Sequence, residues 1–383
     1  MRRRLAYVLL LAVSLIGPPV AAPVRSTAAR GAATAPGAPA CPLFPDTNVW
    51  NTDISRLPVA SDSAVLLQSI GLTTGLHPDF GSNPTNGIPY NVVPGAQAKV
   101  SVTFDDADES DPVPYPIPVS PAIEAGSDRH MLIVDKDACA LYELFDARPT
   151  SSGWQAGSGA IWRLTSNALR PDGWTSADAA GLPILPGLAR YDEVAAGVIA
   201  HALRFTTAHT RNSHIYPARH DAGVTNAAYP PMGVRVRLKA AVDISGFSPQ
   251  ARVILAALKT YGMILADNGS SWYISGAPDP RWNDDDLHHL NQMTGASFEV
   301  VDTRGLVNGP DKPATPTVAP RSTATTPSAP PTALATAANT ATARAIPMAT
   351  ATRTTIHAPC RHTPPRRHVC QQRRRSLSVG KRR

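Results

Sequence analysis

From about Gly309 onward the sequence becomes a tract of proline, threonine, alanine and serine, TPTVAPRSTATTPSAPPTALATAANTATARA. Such a tract has too few large apolar side chains to bury a core and reads as an extended, solvated stalk. Whatever folds must therefore fold upstream. Residues 41–306 are enough for one large domain, and no Pro/Gly/Ser-rich linker interrupts them. The expected organisation is 307–350 as disordered stalk and 351–383 as a basic, disordered tail.

The other end is also punctuated. MRRRLAYVLLLAVSLIGPPVAA places three arginines before an apolar run that closes on small residues, the three-part layout of a secretory signal over 1–22. Leu5 to Ile16 is too short to span a bilayer comfortably. An uncleaved anchor is the competing reading. Cleavage would leave residues 23–40 as a flexible leader and no transmembrane segment, so the expected location is secreted or extracellular, with attachment to the cell surface left open.

Net charge is +7, but it is unevenly spread. Residues 41–306 carry 28 Asp+Glu against 18 Lys+Arg, and residues 307–383 carry 1 acid against 13 Lys+Arg. The basic character thus belongs to the ends, and the folded part is acidic. A nucleic-acid-binding domain should itself be basic, so no specific nucleic-acid partner is expected. The Arg-rich tail suits an anionic surface, or no partner at all.

Of four cysteines, Cys41 and Cys139 fall in the domain. In an exported chain such a pair invites a disulfide. Cys360-x-His362 and His368-x-Cys370 offer zinc-ligand types, but their spacing matches no zinc site of known pattern.

The body reads as mainly β: an antiparallel β-sandwich in a single domain, expected as a monomer, with one main helix at about 249–261 and short peripheral helices. Pro78, Gly81, Pro84, Gly87, Pro89 and Pro94 exclude regular structure over 76–94. KVSVTF (99–104), GWQAGSGAIWRL (153–164), 198–206 and VRVRLK (234–239) alternate as strands. His130–Asp135 and Ala140–Asp146 flank KDAC as a hairpin. Ser61 and Asp62 precede a short helix, and Ser248-Pro249 opens the main one, which Gly262 ends. Asp267-Asn268-Gly269 has the composition of a type I′ turn joining MILA to SWYISG. Asp284 is a candidate cap for DDLHHLNQM.

No G-x-S-x-G, P-loop, G-x-G-x-x-G after a strand or H-E-x-x-H is present. What remains is carboxylates, His, Tyr and Arg on strands, with Trp154, Trp162, Trp174, Trp272 and Trp282 reading as exposed. Glu143 sits between apolar neighbours Leu141 and Phe145, either paired in the core or facing a cleft. Glu143, His201 and Asp284 are the catalytic candidates. Arg204, Tyr216, Arg237, Arg281 and Trp282 are the substrate-binding ones. Each has a structural alternative: a core histidine, a helix cap, an internal ion pair. Asp105, Asp106, Asp108 and Glu109 crowd like charges together. Calcium is the one cofactor they suggest, against a solvated acidic loop or substrate-facing carboxylates. Pro278–Asp284 is the stretch expected to border a groove.

The segments LHPDFG, IPYNVVP, DRHMLIVD, LYELFDA, NALRPDGWTSADAAGLPILPGL, RYDEVAAG and LADNGSSWYISGAPDPRWNDDDL resemble a set that occurs together in uncharacterised exported bacterial proteins. The resemblance spans residues 41–304 and implies neither an activity nor a catalytic residue. From the residues themselves, the expected function is a carbohydrate-active protein, a glycoside hydrolase or polysaccharide lyase acting on an extracellular polysaccharide or cell-envelope glycan. The alternative is a non-catalytic carbohydrate- or cell-surface-binding module on a stalk.

Overall fold

A computed structural model describes residues 33–309, which fall within one compact unit. The signal, the stalk, the basic tail and the Cys360–Cys370 region lie outside the described residues. The chain is mainly β, built from two principal sheets, a few short helices and smaller strand pairs. Residues 33–40, read from the sequence as leader, belong to the body. Thr34–Ala35 pairs with Ala38–Pro42, and Ala35 and Ala38 are buried. Cys41 and Cys139 form a disulfide, tying this segment to the tip of the 131–145 hairpin.

The larger sheet has six strands in the order Phe298–Val300, Arg235–Leu238, Met263–Asn268, Leu203–Thr207, Tyr273–Ser275, His77–Asp79. It is mixed, because 203–207 runs parallel to 263–268 and 273–275 runs parallel to 77–79. The Asp267-Asn268-Gly269 hairpin expected from the sequence does not form. Strand 203–207 inserts between the two segments that the turn would have joined. Local turn chemistry is outweighed here by long-range pairing.

The four-stranded sheet has the order Ser158–Arg163, Ala140–Phe145, Met131–Asp135, Tyr90–Val93. Its hairpin is the expected one, with Asp135 Oδ1 accepting from the Asp137 and Ala138 amides to close the turn. Alternation divides its faces. Leu132, Val134 and Leu141 join the main core with Leu203, Phe205, Leu265 and Ile274. Met131, Ile133, Tyr142 and Leu144 pack a second core with Tyr115 and Ala156. The expected 153–164 strand is two, Gly153–Ala156 and Ser158–Arg163, in different sheets.

The main helix, Pro249–Thr260, buries Ala251, Ile254, Leu255, Ala257 and Leu258 and contacts strand 235–238. Ser248 precedes it but its side chain makes no capping bond. Gly262 ends it at φ 66, where a Cβ would meet the Val236 carbonyl oxygen at 2.3 Å.

Candidate functional site

The register of the six-stranded sheet lines polar residues into two rows on one face. Asp79, Ser275 and Arg204 form the first, and His77, Tyr273, Thr206 and Asp267 the second. Each contributing segment is a short polar–apolar–polar strand, His-Pro-Asp, Tyr-Ile-Ser or Arg-Phe-Thr, so alternation presents its polar members together. Their apolar members, Pro78, Ile274 and Phe205, are buried behind. Toward Arg204 the face is covered by the 177–189 loop, where a Cβ on Gly187 would lie 2.9 Å from Arg204 Cβ.

Arg204 is 3% exposed and organises this layer. Its Nε and Nη2 donate to Asp178 Oδ2 and Oδ1 at 3.1 and 2.5 Å, and its Nη1 donates to Ser275 Oγ at 2.5 Å. Nη2 also reaches Asp267 Oδ2 at 3.4 Å. Asp178 and Asp267 thus approach each other on one guanidinium nitrogen, and burial raises both above the usual carboxylate range. Burial, and next the Asp178 charge, push Asp267 up to about 8. Asp178 is wholly buried, while the Asp267 side chain keeps 22% of its surface.

A second pair adjoins the first. Buried His130 donates from Nδ1 to Glu124 Oε2 at 2.5 Å and from Nε2 to the Ala177 carbonyl at 3.0 Å. Both partners are acceptors, so the ring holds two protons. Burial opposes that charge, but the Glu124 hydrogen bond and charge outweigh it and lift His130 to about 9. At the open edge, burial also raises Asp79, and it lowers His77, whose ring stacks on Tyr273 at 4.0 Å.

Most residues singled out from the sequence lie elsewhere, and their partners explain why. Glu143 is fully buried at the fringe of the cluster and accepts the amides of Ile184 and Leu185 at 2.9–3.0 Å. Burial pushes it up to about 7 against those amides. It anchors a turn and reaches no groove. His201 precedes its strand, is fully buried, and binds Glu193 at 3.1 Å and the Ala202 carbonyl. Glu193 also takes Arg190, which makes His201 one member of an internal network. Asp284 does not cap its helix. Asn283 does, accepting from the Asp286 amide, and Asp284 instead binds the amide and hydroxyl of Ser82.

Arg237 is engaged by Glu299 and by the carbonyls of Ile54 and Leu57, and its neighbour Arg235 is likewise buried. These two arginines therefore hold down the 49–57 segment instead of binding a substrate. Tyr216 is half-buried against the core. Trp282 is 4% exposed, between Phe80 and Tyr191, and no platform. Trp162 and Trp272 are buried too. Arg281 is exposed, paired with Asp279 at 2.5 Å and set 4.4 Å over the Tyr191 ring.

The acidic run does not gather into a calcium cage. Asp105 accepts from Gln155, Glu109 accepts the Thr175 amide and lies 3.7 Å from His220, and Asp111 pairs with Arg170. Among the described residues no three His, Cys, Asp or Glu side chains converge on a metal-sized site. The mutual repulsion foreseen for these carboxylates is felt at Asp106, which burial and then Glu109 and Asp105 raise. Among the described residues no helix is long and apolar enough to cross a membrane.

Asp79, Glu124, His130, Asp178 and Ser275 were not picked out from the sequence as site residues. The strand over RFT follows from its alternation, but HPD and Tyr90–Val93 are strands inside the 76–94 stretch where proline and glycine argue against regular structure, because edge pairing tolerates them. That HPD, YIS and RFT lie side by side was not legible. The chain matches no family model, curated protein or solved structure.

Proposed function

We propose that this chain is an exported carbohydrate-active hydrolase whose substrate lies across the two polar rows of the six-stranded sheet. The observation that carries the reading is the Asp178–Asp267 carboxyl pair on Arg204, partly open at Asp267. A carboxyl that keeps its proton near neutral pH while touching solvent is what a general acid requires. Asp267 would protonate the leaving glycosidic oxygen. Asp79, exposed on the same face three strands away, lies roughly 14 Å off at the usual strand spacing, too far to act with Asp267 on one bond, and would bind a neighbouring sugar ring. Ser275 and Asp178 fix Arg204, and the His77–Tyr273 stack offers ring faces to a pyranose.

Elimination is disfavoured by the same geometry. A lyase needs a cation free to neutralise a uronate, and Arg204 is buried and engaged by carboxyls. A non-catalytic glycan-binding face is the second reading, favoured by how completely Asp178 is enclosed.

The test is to incubate the full chain with a polysaccharide panel and read new reducing ends and unsaturated products. New reducing ends, reduced about 100-fold or more by Asp267→Asn with binding retained, support hydrolysis. Binding without turnover in the unaltered chain would leave the second reading, and unsaturated products would overturn the hydrolase assignment.

A further inference from the structure

We infer that the glycan recognised by this face carries positive charge: a polymer of free amino sugars, and not one bearing uronate or phosphate. The inference rests on the reading above and sharpens it to a substrate class.

It begins from which charges the face shows to solvent and which it hides. Asp79 and Asp128 are exposed and the Glu124 side chain keeps 19% of its surface, while the partly open Asp267 holds its proton and adds a polar but uncharged group. Burial raises Asp79; the neighbouring His77 and Arg204 oppose that rise, and Glu124 and Asp128 add to it, so both acids lie close to Asp79. The helix Asp284–His288, with three aspartates in its first turn, contacts strand 77–79. The cations of the same cluster are hidden. Arg204 and His130 are each 3% exposed and fully engaged. Burial keeps His77 low, so its ring is largely neutral near pH 7. Arg129 and Arg148 follow Asp128 or pair near it, but Arg129 donates to the Ala147 carbonyl and Arg148 binds Asp146. His288 is the exposed group that can add positive charge beside His77.

A ligand approaching these rows therefore meets acids at the rim, with the balancing positive charge beneath them. Charges so arranged steer oppositely charged ligands inward and impose a penalty on like-charged ones. An ammonium at each sugar ring would find carboxylate acceptors, forming charge-assisted hydrogen bonds. The half-exposed Tyr273 ring beside them supplies a second attraction, since ammonium groups bind aromatic faces.

Calorimetry on the full chain compares three oligosaccharides of equal length: β-1,4-glucosamine, its fully N-acetylated form, and oligogalacturonate. The glucosamine oligomer is expected to bind at least about ten-fold tighter than the acetylated one. Its affinity should weaken several-fold on raising salt from low to physiological strength, and the galacturonate should not bind. Asp79→Asn combined with Asp128→Asn should weaken the glucosamine oligomer by about 3- to 10-fold, with the melting temperature unchanged. Equal or tighter binding of the acetylated oligomer, or binding of galacturonate, overturns the inferred charge class and leaves the hydrolase reading standing. Failure of all three to bind overturns the inference as well. If the polysaccharide panel also gives no turnover, the proposed function falls with it.

Discussion

Arg204 and Arg235 stand in one row of the larger sheet, both registered on Ile264, and are 3% and 1% exposed. They are held in opposite ways. Arg204 faces two carboxyl groups, both raised by burial, that open to solvent at Asp267. Arg235 faces backbone only: the carbonyls of Tyr261, Val49 and Thr52. Burial lowers Arg235, whereas Asp178 and Asp267 outweigh burial and raise Arg204. An arginine satisfied by carbonyls fixes the path of the chain and has no proton to exchange with its partners. An arginine satisfied by carboxyls makes their protonation depend on one another. The first arrangement is architecture, and the second can do acid–base chemistry. Burial alone does not tell them apart.

The largest effect should come from Arg204→Met. Removing one member of a buried ionic cluster leaves Asp178 without its counter-charge and is expected to destabilise by about 3–5 kcal/mol. The loss, measured by urea denaturation, should be smaller at pH 5 than at pH 8, because both carboxyls can take up protons at the lower pH. A loss independent of pH would show that the Arg204 carboxyls do not depend on one another.

Arg235→Met should cost less, about 1–3 kcal/mol, for carbonyls left without donors. It should show no pH dependence between 5 and 8. Its consequence should be local, with amide hydrogen exchange rising in 49–57, the segment held by Arg235 and Arg237.

The smallest effect concerns the fringe of the cluster. Glu143, Asp267 and His130 all have raised values in the folded state, about 7, 8 and 9. A raised carboxyl retains a proton that the unfolded chain has released, so its contribution falls as pH rises from its ordinary value to its folded one. A raised histidine contributes fully below about 6.5 and loses that contribution as pH rises through its folded value. All three act in one direction above pH 5, and the melting temperature should decline from pH 5 to pH 9. Glu143→Gln keeps an acceptor for the Ile184 and Leu185 amides and should flatten the part of the curve below pH 7 by a few degrees, about 2–4 °C per kcal/mol. An unchanged slope would show that Glu143 ionises freely and sits outside the cluster's electrostatics.

The β-rich class, the 131–145 hairpin, the 249–260 helix and the acidity of the body follow from period, turn residues and charge, which are local or additive properties of the chain. Other features required the tertiary structure. His201 and Arg237 carry the residue types of a site, and only their partners show them to be structural. Asp79, Ser275, Arg204 and Asp267 come from segments nearly 200 residues apart in sequence and meet because strand 203–207 inserts between 263–268 and 273–275. Sequence fixes which side chains alternate along each strand, because the pleat has a period of two. Which strands become neighbours is decided by burial of apolar faces shared across the whole domain, and that pairing brings Arg204 and Asp267 together beneath the loop that carries Asp178.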